Sequence, residues 1–185
     1  GKWNQQDKAL KHVEEMIADG VDILDVGGES TRPGHEQISD EEEIARVTPV
    51  IEAVKKEFDI PVSIDTYKSH VAEAAIQAGA DLVNDIWGFL YDDKMAEVVQ
   101  RYQAAACLMH NREQSVYADF LVDMCADLRK CIEKAKAAGI EDDKIILDPG
   151  VGFGKTYEMN LDVMKHLDLF HELGYPLLLG TSRKS

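Results

Sequence analysis

Six short apolar runs rich in Val, Ile and Leu alternate with helix-like stretches along 185 residues, and polar residues stand at the C-terminal end of every run. Strict alternation with short connections demands a parallel sheet with helical crossovers. An open doubly wound sheet gathers function at one switch point, whereas a (β/α)8 barrel carries polar residues at nearly every strand end. Asp25 with Glu29, Asp65, Asn84 with Asp85, His110 with Asn111, Asp148, and Ser182 with Lys184 fill all six positions, so the barrel is the expected fold.

The chain opens on a helix over about 5–19, with Leu10, Val13, Ile17 and Ala18 at helical spacing and Gly20 as its stop. Val21, Ile23, Leu24 and Val26 form the first strand. Gly27 and Gly28 then release the backbone, and Glu29, Ser30, Thr31, Arg32 and His35 follow as a polar load that no core absorbs unpaired. Asp40, Glu41, Glu42 and Glu43 suit the positive end of a helix reaching about 58, which Pro61 closes off. The later strands are expected at 60–65, 81–86, 104–110, 144–148 and 176–181, with helices at 69–78, 92–102, 115–138 and 158–173.

A barrel closes only with eight strands, usually in ~250 residues. The expectation is therefore an incomplete TIM (β/α)8 barrel holding about six of the eight strands, a single domain over residues 1–185 that lacks its first and last strands. A formal net charge of −15 repels nucleic-acid backbones and anionic membranes, which leaves small ligands as partners. The sequence holds no apolar run of ~18 residues and no signal peptide, which predicts a cytoplasmic protein. Cys107, Cys125 and Cys131 contain no CxxC pair and read as reduced thiols.

Two strand ends invite a chemical reading. Asp65 is either a helix N-cap or a ligand contact, and Asp148 is either the first position of an Asp-Pro-Gly turn or a ligand contact. Two carboxylates converging on one barrel mouth suit a ligand that donates hydrogen bonds to both. After Asp148, Gly150, Gly152 and Gly154 allow the backbone to lie close against a ligand. Gly154, Lys155 and Thr156 look like the end of a Walker A loop, but its first glycine would fall on Pro149, so no phosphate cradle is expected. No Ser-His-Asp or Cys-His arrangement suggests a nucleophile, and the lone His110 reads as structural.

DVGGESTRPG (25–34), SIDT (63–66), VNDI (83–86), LMHN (108–111), DPGVGFGK (148–155) and GTSRKS (180–185) together resemble the dihydropteroate synthase family, in the family's order and over nearly the whole chain. Members join a dihydropterin diphosphate to 4-aminobenzoate in folate biosynthesis. The resemblance implies a pterin site of Asp65, Asn84, Ile86, Met109, Asp148, Phe153 and Lys184, and an aminobenzoate site of Thr31, Arg32, Pro33, Lys184 and Ser185. It gives the chemistry to Lys184, Arg32 and Asp65, with Arg32 as the cation for the departing anion.

The family's magnesium ligand would precede Gly1, so no metal ligand is expected within the chain although Mg2+ is the implied cofactor. A homodimer and sulfonamide targeting are likewise what the resemblance implies. With both ends lacking, this polypeptide alone is expected to be inactive or nearly so. Two rival readings are a pterin-binding methyltransferase barrel acting on methyltetrahydrofolate and a corrinoid, and a non-catalytic pterin-binding relative. STRPG and SRKS, segments serving aminobenzoate and diphosphate, count against the first.

Overall fold

A computed structural model of the chain describes residues 2–30 and 36–181, with side chains from Asp7 onward. Five parallel strands lie side by side in chain order: β1 Leu24–Gly27, β2 Val62–Asp65, β3 Leu82–Asp85, β4 Ala105–Met109 and β5 Ile145–Asp148. Helices α1 Lys2–Ala18, α2 Asp40–Glu57, α3 Ser69–Ala78, α4 Met95–Arg101, α5 Phe120–Ala137, α6 Tyr157–Lys165 and α7 Leu167–His171 alternate with them, and a 3₁₀ turn, Asp142–Lys144, leads into β5. A doubly wound sheet reverses its strand order at a switch point, and this one never does. The wall of a barrel is built this way, strand after strand.

The strands separate two environments. Val62, Ile64, Val83, Ala106, Leu108, Ile145 and Leu147 face the helices and join Ile51, Val54, Val71, Ala75 and Leu128 in one core. Each Val, Ile or Leu side chain among them contributes about 1.5–3 kcal/mol on burial. That outer core holds the fold together, so the alternate residues, turned to the inner face, are free to be polar.

The expected strand at 176–181 shrinks to one parallel bridge between Leu147 and Leu177. The Leu147 N–H donates to Pro176 O at 2.9 Å and the Leu178 N–H to Leu147 O at 2.8 Å. The next rung would come from the N–H of residue 149, which is proline and has none, so the ladder stops. Among the described residues the sheet therefore has five strands and a bridged sixth segment rather than six strands.

The single helix expected at 158–173 breaks at His166. The His166 ring takes the Asp162 carbonyl at 2.9 Å, the acceptor its own N–H would use in a continuous helix, and that N–H turns to Val163 instead. The expected start of α5 at 115 moves to 120, because Asp119 caps it by accepting from the Val122 N–H. No helix of the described residues is long and apolar enough to cross a membrane.

Candidate active site

The inner face can be read off the strand register. Gly27 pairs with Asp65, Asp65 with Asn84, Asn84 with Cys107, and Cys107 with Ile146, which makes one layer across the sheet. Asp25 and Ser63 lie paired in the layer beneath, and Met109 pairs with Asp148 above. A Cβ on Gly27 would touch the Asp65 carboxylate at 3.5 Å, so the glycine leaves that carboxylate its space. Asn84 and Asp85 part company here. Asp85 is turned away and fully buried, accepting from the Trp87 N–H at 2.8 Å and the Phe89 N–H at 3.0 Å.

One carboxylate of this face is short of a donor. Asp65 Oδ1 is buried without a hydrogen-bond partner. Burial, reinforced by the charges of Asp25, Glu43 and Asp85, pushes its pKa up to about 7. Holding such a group ionised at neutral pH costs on the order of 4 kcal/mol relative to water. The N-cap alternative for Asp65 fails, because Lys68 occupies that position of α3 and the Ser69 N–H goes to Asp92 Oδ2 at 2.8 Å. Burial also raises Asp25, against the pull of Ser63 and Asn84 beside it.

Asp148 makes its turn with one oxygen only. Its Oδ1 accepts from the Gly150 N–H at 2.7 Å, which makes the turn, while a Cβ on Gly180 would lie 3.8 Å from its Oδ2. Burial lifts its pKa to about 6 against that bond and the Lys155 charge.

Above the carboxylates sits an apolar rim. Tyr67, Ile86 and Met109 are buried together, with Trp87 and Phe153 packed on them, in a cluster separate from the main core. Its aromatic and thioether surfaces suit a flat ligand.

The glycine-rich loop behaves differently from the sequence expectation. A Cβ on Gly150 would come within 2.0 Å of the His110 carbonyl oxygen, and one on Gly154 within 2.4 Å of the Arg112 carbonyl oxygen. These two glycines press against the chain's own backbone rather than keep room for a ligand, and both have positive φ. Lys155 is turned inward, donating to Phe153 O at 2.7 Å, Gly150 O at 2.8 Å and His110 Nδ1 at 3.0 Å. Burial lowers its pKa to about 7, against the pull of Asp148.

His110 is buried and accepts from Lys155 on Nδ1, so its proton sits on Nε2, 3.3 Å from Asp127 Oδ2. Burial, seconded by Lys155, lowers its pKa to about 3. A neutral, fully bonded imidazole away from the inner face is a structural part, as the sequence suggested.

A second buried cluster lies at the same end of the sheet. Lys68 Nζ is 2.6 Å from Glu29 Oε2, 2.8 Å from Glu43 Oε2 and 2.9 Å from the Ile38 carbonyl oxygen. Glu29 also accepts from the Ile38 N–H at 2.9 Å and from the Tyr67 hydroxyl, to which Gln37 donates at 2.9 Å.

Of the expected site residues, Asp65, Asn84 and Asp148 share the inner face and Ile86, Met109 and Phe153 share its rim. Thr31, Arg32, Pro33, Lys184 and Ser185 lie outside the described residues. Asp25, Tyr67, Trp87, Lys68 and Cys107 were not expected at the site. Asp25 and Tyr67 had a usable signal, since each stands two residues from an inward position on its own strand path. Among the described residues no three His, Cys, Asp or Glu side chains gather as a metal ion needs.

The whole chain, residues 1–185, matches the family described as pterin binding enzyme. It is 62% identical over 185 residues to the dihydropteroate synthase of Clostridium beijerinckii, covering 100% of this chain and 69% of that protein. The chain belongs to the pterin-binding enzyme family, among the dihydropteroate synthases. The dihydropteroate synthase of Clostridium difficile, solved in the presence of pteroic acid, matches with a TM-score of 0.96 at 48% identity, covering 100% of this chain and 70% of that one. That of Xanthomonas albilineans, solved with 4-aminobenzoic acid, matches with a TM-score of 0.92 at 37% identity, covering 97% and 66%.

The chain thus spans about two thirds of the length of these dihydropteroate synthases. Membership in that family gives the five-stranded wall its context as part of a TIM barrel.

Proposed function

We propose that the polypeptide carrying this chain condenses 6-hydroxymethyl-7,8-dihydropterin diphosphate with 4-aminobenzoate to give dihydropteroate and diphosphate, and that the inner face described above is its pterin pocket. One observation supports this reading more than any other: a buried carboxylate oxygen of Asp65 has no donor. A pterin edge supplies ring N–H and amino donors. Bonded to them, Asp65 stays ionised, and the cost of its burial is offset by charge-assisted hydrogen bonds. Asp148 accepts through the oxygen left over from its turn, Asn84 both donates and accepts, and Ile86, Met109 and Phe153 cover the ring faces.

In this reading Lys184 reaches the pterin carbonyl and flanks the aminobenzoate, Ser185 meets the aminobenzoate carboxylate, and Thr31, Arg32 and Pro33 cover that second substrate. The aromatic amine nitrogen forms a bond to the exocyclic methylene carbon as the carbon–oxygen bond to diphosphate breaks. The amine then loses its proton to water. Arg32 stabilises the charge growing on the diphosphate. Magnesium supplies further charge neutralisation for the diphosphate when bound; the described residues offer no cluster that fits it, and no step is assigned to it. A homodimer, a single domain and a cytoplasmic location belong to the same reading.

The test is binding and turnover by the complete polypeptide. Formation of dihydropteroate from the two substrates, with pterin binding weakened about a hundredfold by Asp65→Asn, supports the proposal. Methyl transfer from methyltetrahydrofolate to a corrinoid, or pterin binding with no turnover of either substrate set, overturns it in favour of a methyltransferase or a non-catalytic relative.

A further inference from the structure

Lys68 is 9% exposed, yet its ammonium group donates to Glu29 and the Ile38 carbonyl and stands 2.8 Å from a second carboxylate, Glu43. Packing alone does not call for such an arrangement, since apolar residues of similar volume fill a site without the desolvation of three charges. What the ion triad adds is direction. Glu29 follows β1, Ile38 precedes α2, Glu43 lies in the first turn of α2, and Lys68 follows β2. Tyr67 repeats the connection one residue earlier, taking Gln37 with one lone pair and giving its proton to Glu29. The Tyr91 ring then stands edge-on to Tyr67 at 4.7 Å, which extends the knot to the loop after β3. The residues on the two sides of segment 31–35, Glu29 before it and Gln37 with Ile38 after it, are therefore fastened to the same two residues of the β2 exit.

We infer that Lys68 is a positioning residue that fixes where the chain leaves β1 and rejoins α2, and that through this it acts on aminobenzoate rather than on the pterin. The inference rests on the function proposed above for its choice of substrate, and on geometry alone for the knot. Asp65 lies three positions before Lys68, but none of the Lys68 bonds runs to it, so the pterin contacts are left in place when Lys68 changes.

The experiment uses the complete polypeptide with Lys68→Arg and Tyr67→Phe, which keep the charge balance, and reads two quantities. Hydrogen exchange at the Ile38 amide is slow in the parent and speeds up in both variants, while the β2 amides stay protected. In Lys68→Arg the KM for 4-aminobenzoate rises about tenfold, with the KM for the pterin diphosphate within about twofold; Tyr67→Phe, a residue of the rim, is read by exchange alone. An Ile38 amide that exchanges freely in the parent overturns the knot. Equal rises in both KM values, or losses that follow the melting temperature alone, overturn the positioning role. A parent that turns over neither substrate refutes the proposed function and the substrate assignment with it, while the exchange result still decides the knot.

Discussion

Two groups of buried charge stand at the same end of the sheet, and they are finished in opposite ways. Around Lys68, the ammonium donates to Glu29 and the Ile38 carbonyl and pairs with the charge of Glu43 at 2.8 Å. At Asp65, three residues away, a buried oxygen has no donor at all. A polar group satisfied by its own chain holds a shape; one left unsatisfied against the general rule waits for a molecule that is not part of the chain. The same distinction separates Lys155, caged by carbonyls, from Asp148, which uses one oxygen for its turn.

Substitution should bring out this contrast most strongly at Lys68. Lys68→Met strands two buried carboxylates and is expected to lower stability by about 3–5 kcal/mol, measured by urea unfolding. Asp65→Asn is the reverse case: it removes an unpaired charge, so the unfolding midpoint should hold or rise while pterin affinity falls about a hundredfold. A drop in midpoint would mean that Asp65 is a structural group after all. Lys155→Met takes the amine from three carbonyl-rich contacts and should cost about 1–3 kcal/mol.

Acidity sharpens the comparison next. Asp65, Asp148 and Asp85 have folded pKa values raised to about 7, 6 and 6, so the folded state holds more protons than the unfolded one from about pH 4 to 7. Their contribution is full below pH 4 and is lost as pH rises to 7. His110, lowered to about 3, works the other way between pH 3 and 6.5, one group against three. Lys155, lowered to about 7, contributes only as pH climbs from 7 towards 10.5. Stability of the ligand-free protein should therefore pass through a trough near neutral pH. Saturating pterin should flatten its acid side, and Lys155→Met its alkaline side. The smallest effect belongs to a site outside both groups: Ser39→Ala removes the cap that accepts from the Glu42 N–H at 3.2 Å, costing about 1 kcal/mol with catalysis unchanged.

Much of this was written plainly in the sequence. Strand ends carry their polar residues in the clear because a parallel sheet buries everything else, so Asp65, Asn84 and Asp148 could be picked out one by one. Facing was harder. Strands covered on both sides read as unbroken apolar runs, and only the register reveals that Asn84 looks inward while Asp85 looks out. The knot around Lys68 was illegible, since Glu29 and Lys68 are 39 residues apart and nothing local marks them as partners. The truncated sixth strand shows a different limit: Leu177, Leu178 and Leu179 have every strand preference, but the missing donor belongs to Pro149 on the neighbouring strand's exit. Propensity describes a segment, whereas pairing depends on both sides.

Cys107 sits in the middle of the inner layer, in register with Asn84, and is fully buried. Burial, with Asp148, Asp25 and Asp85 around it, pushes its thiol far above the usual range, so in the folded protein an alkylating reagent meets no thiolate there. Cys125, partly exposed on α5, remains within reach of the same reagent. The two sulfurs thus form a built-in clock: labelling at the first records each time the sheet comes apart, and labelling at the second supplies the reference rate.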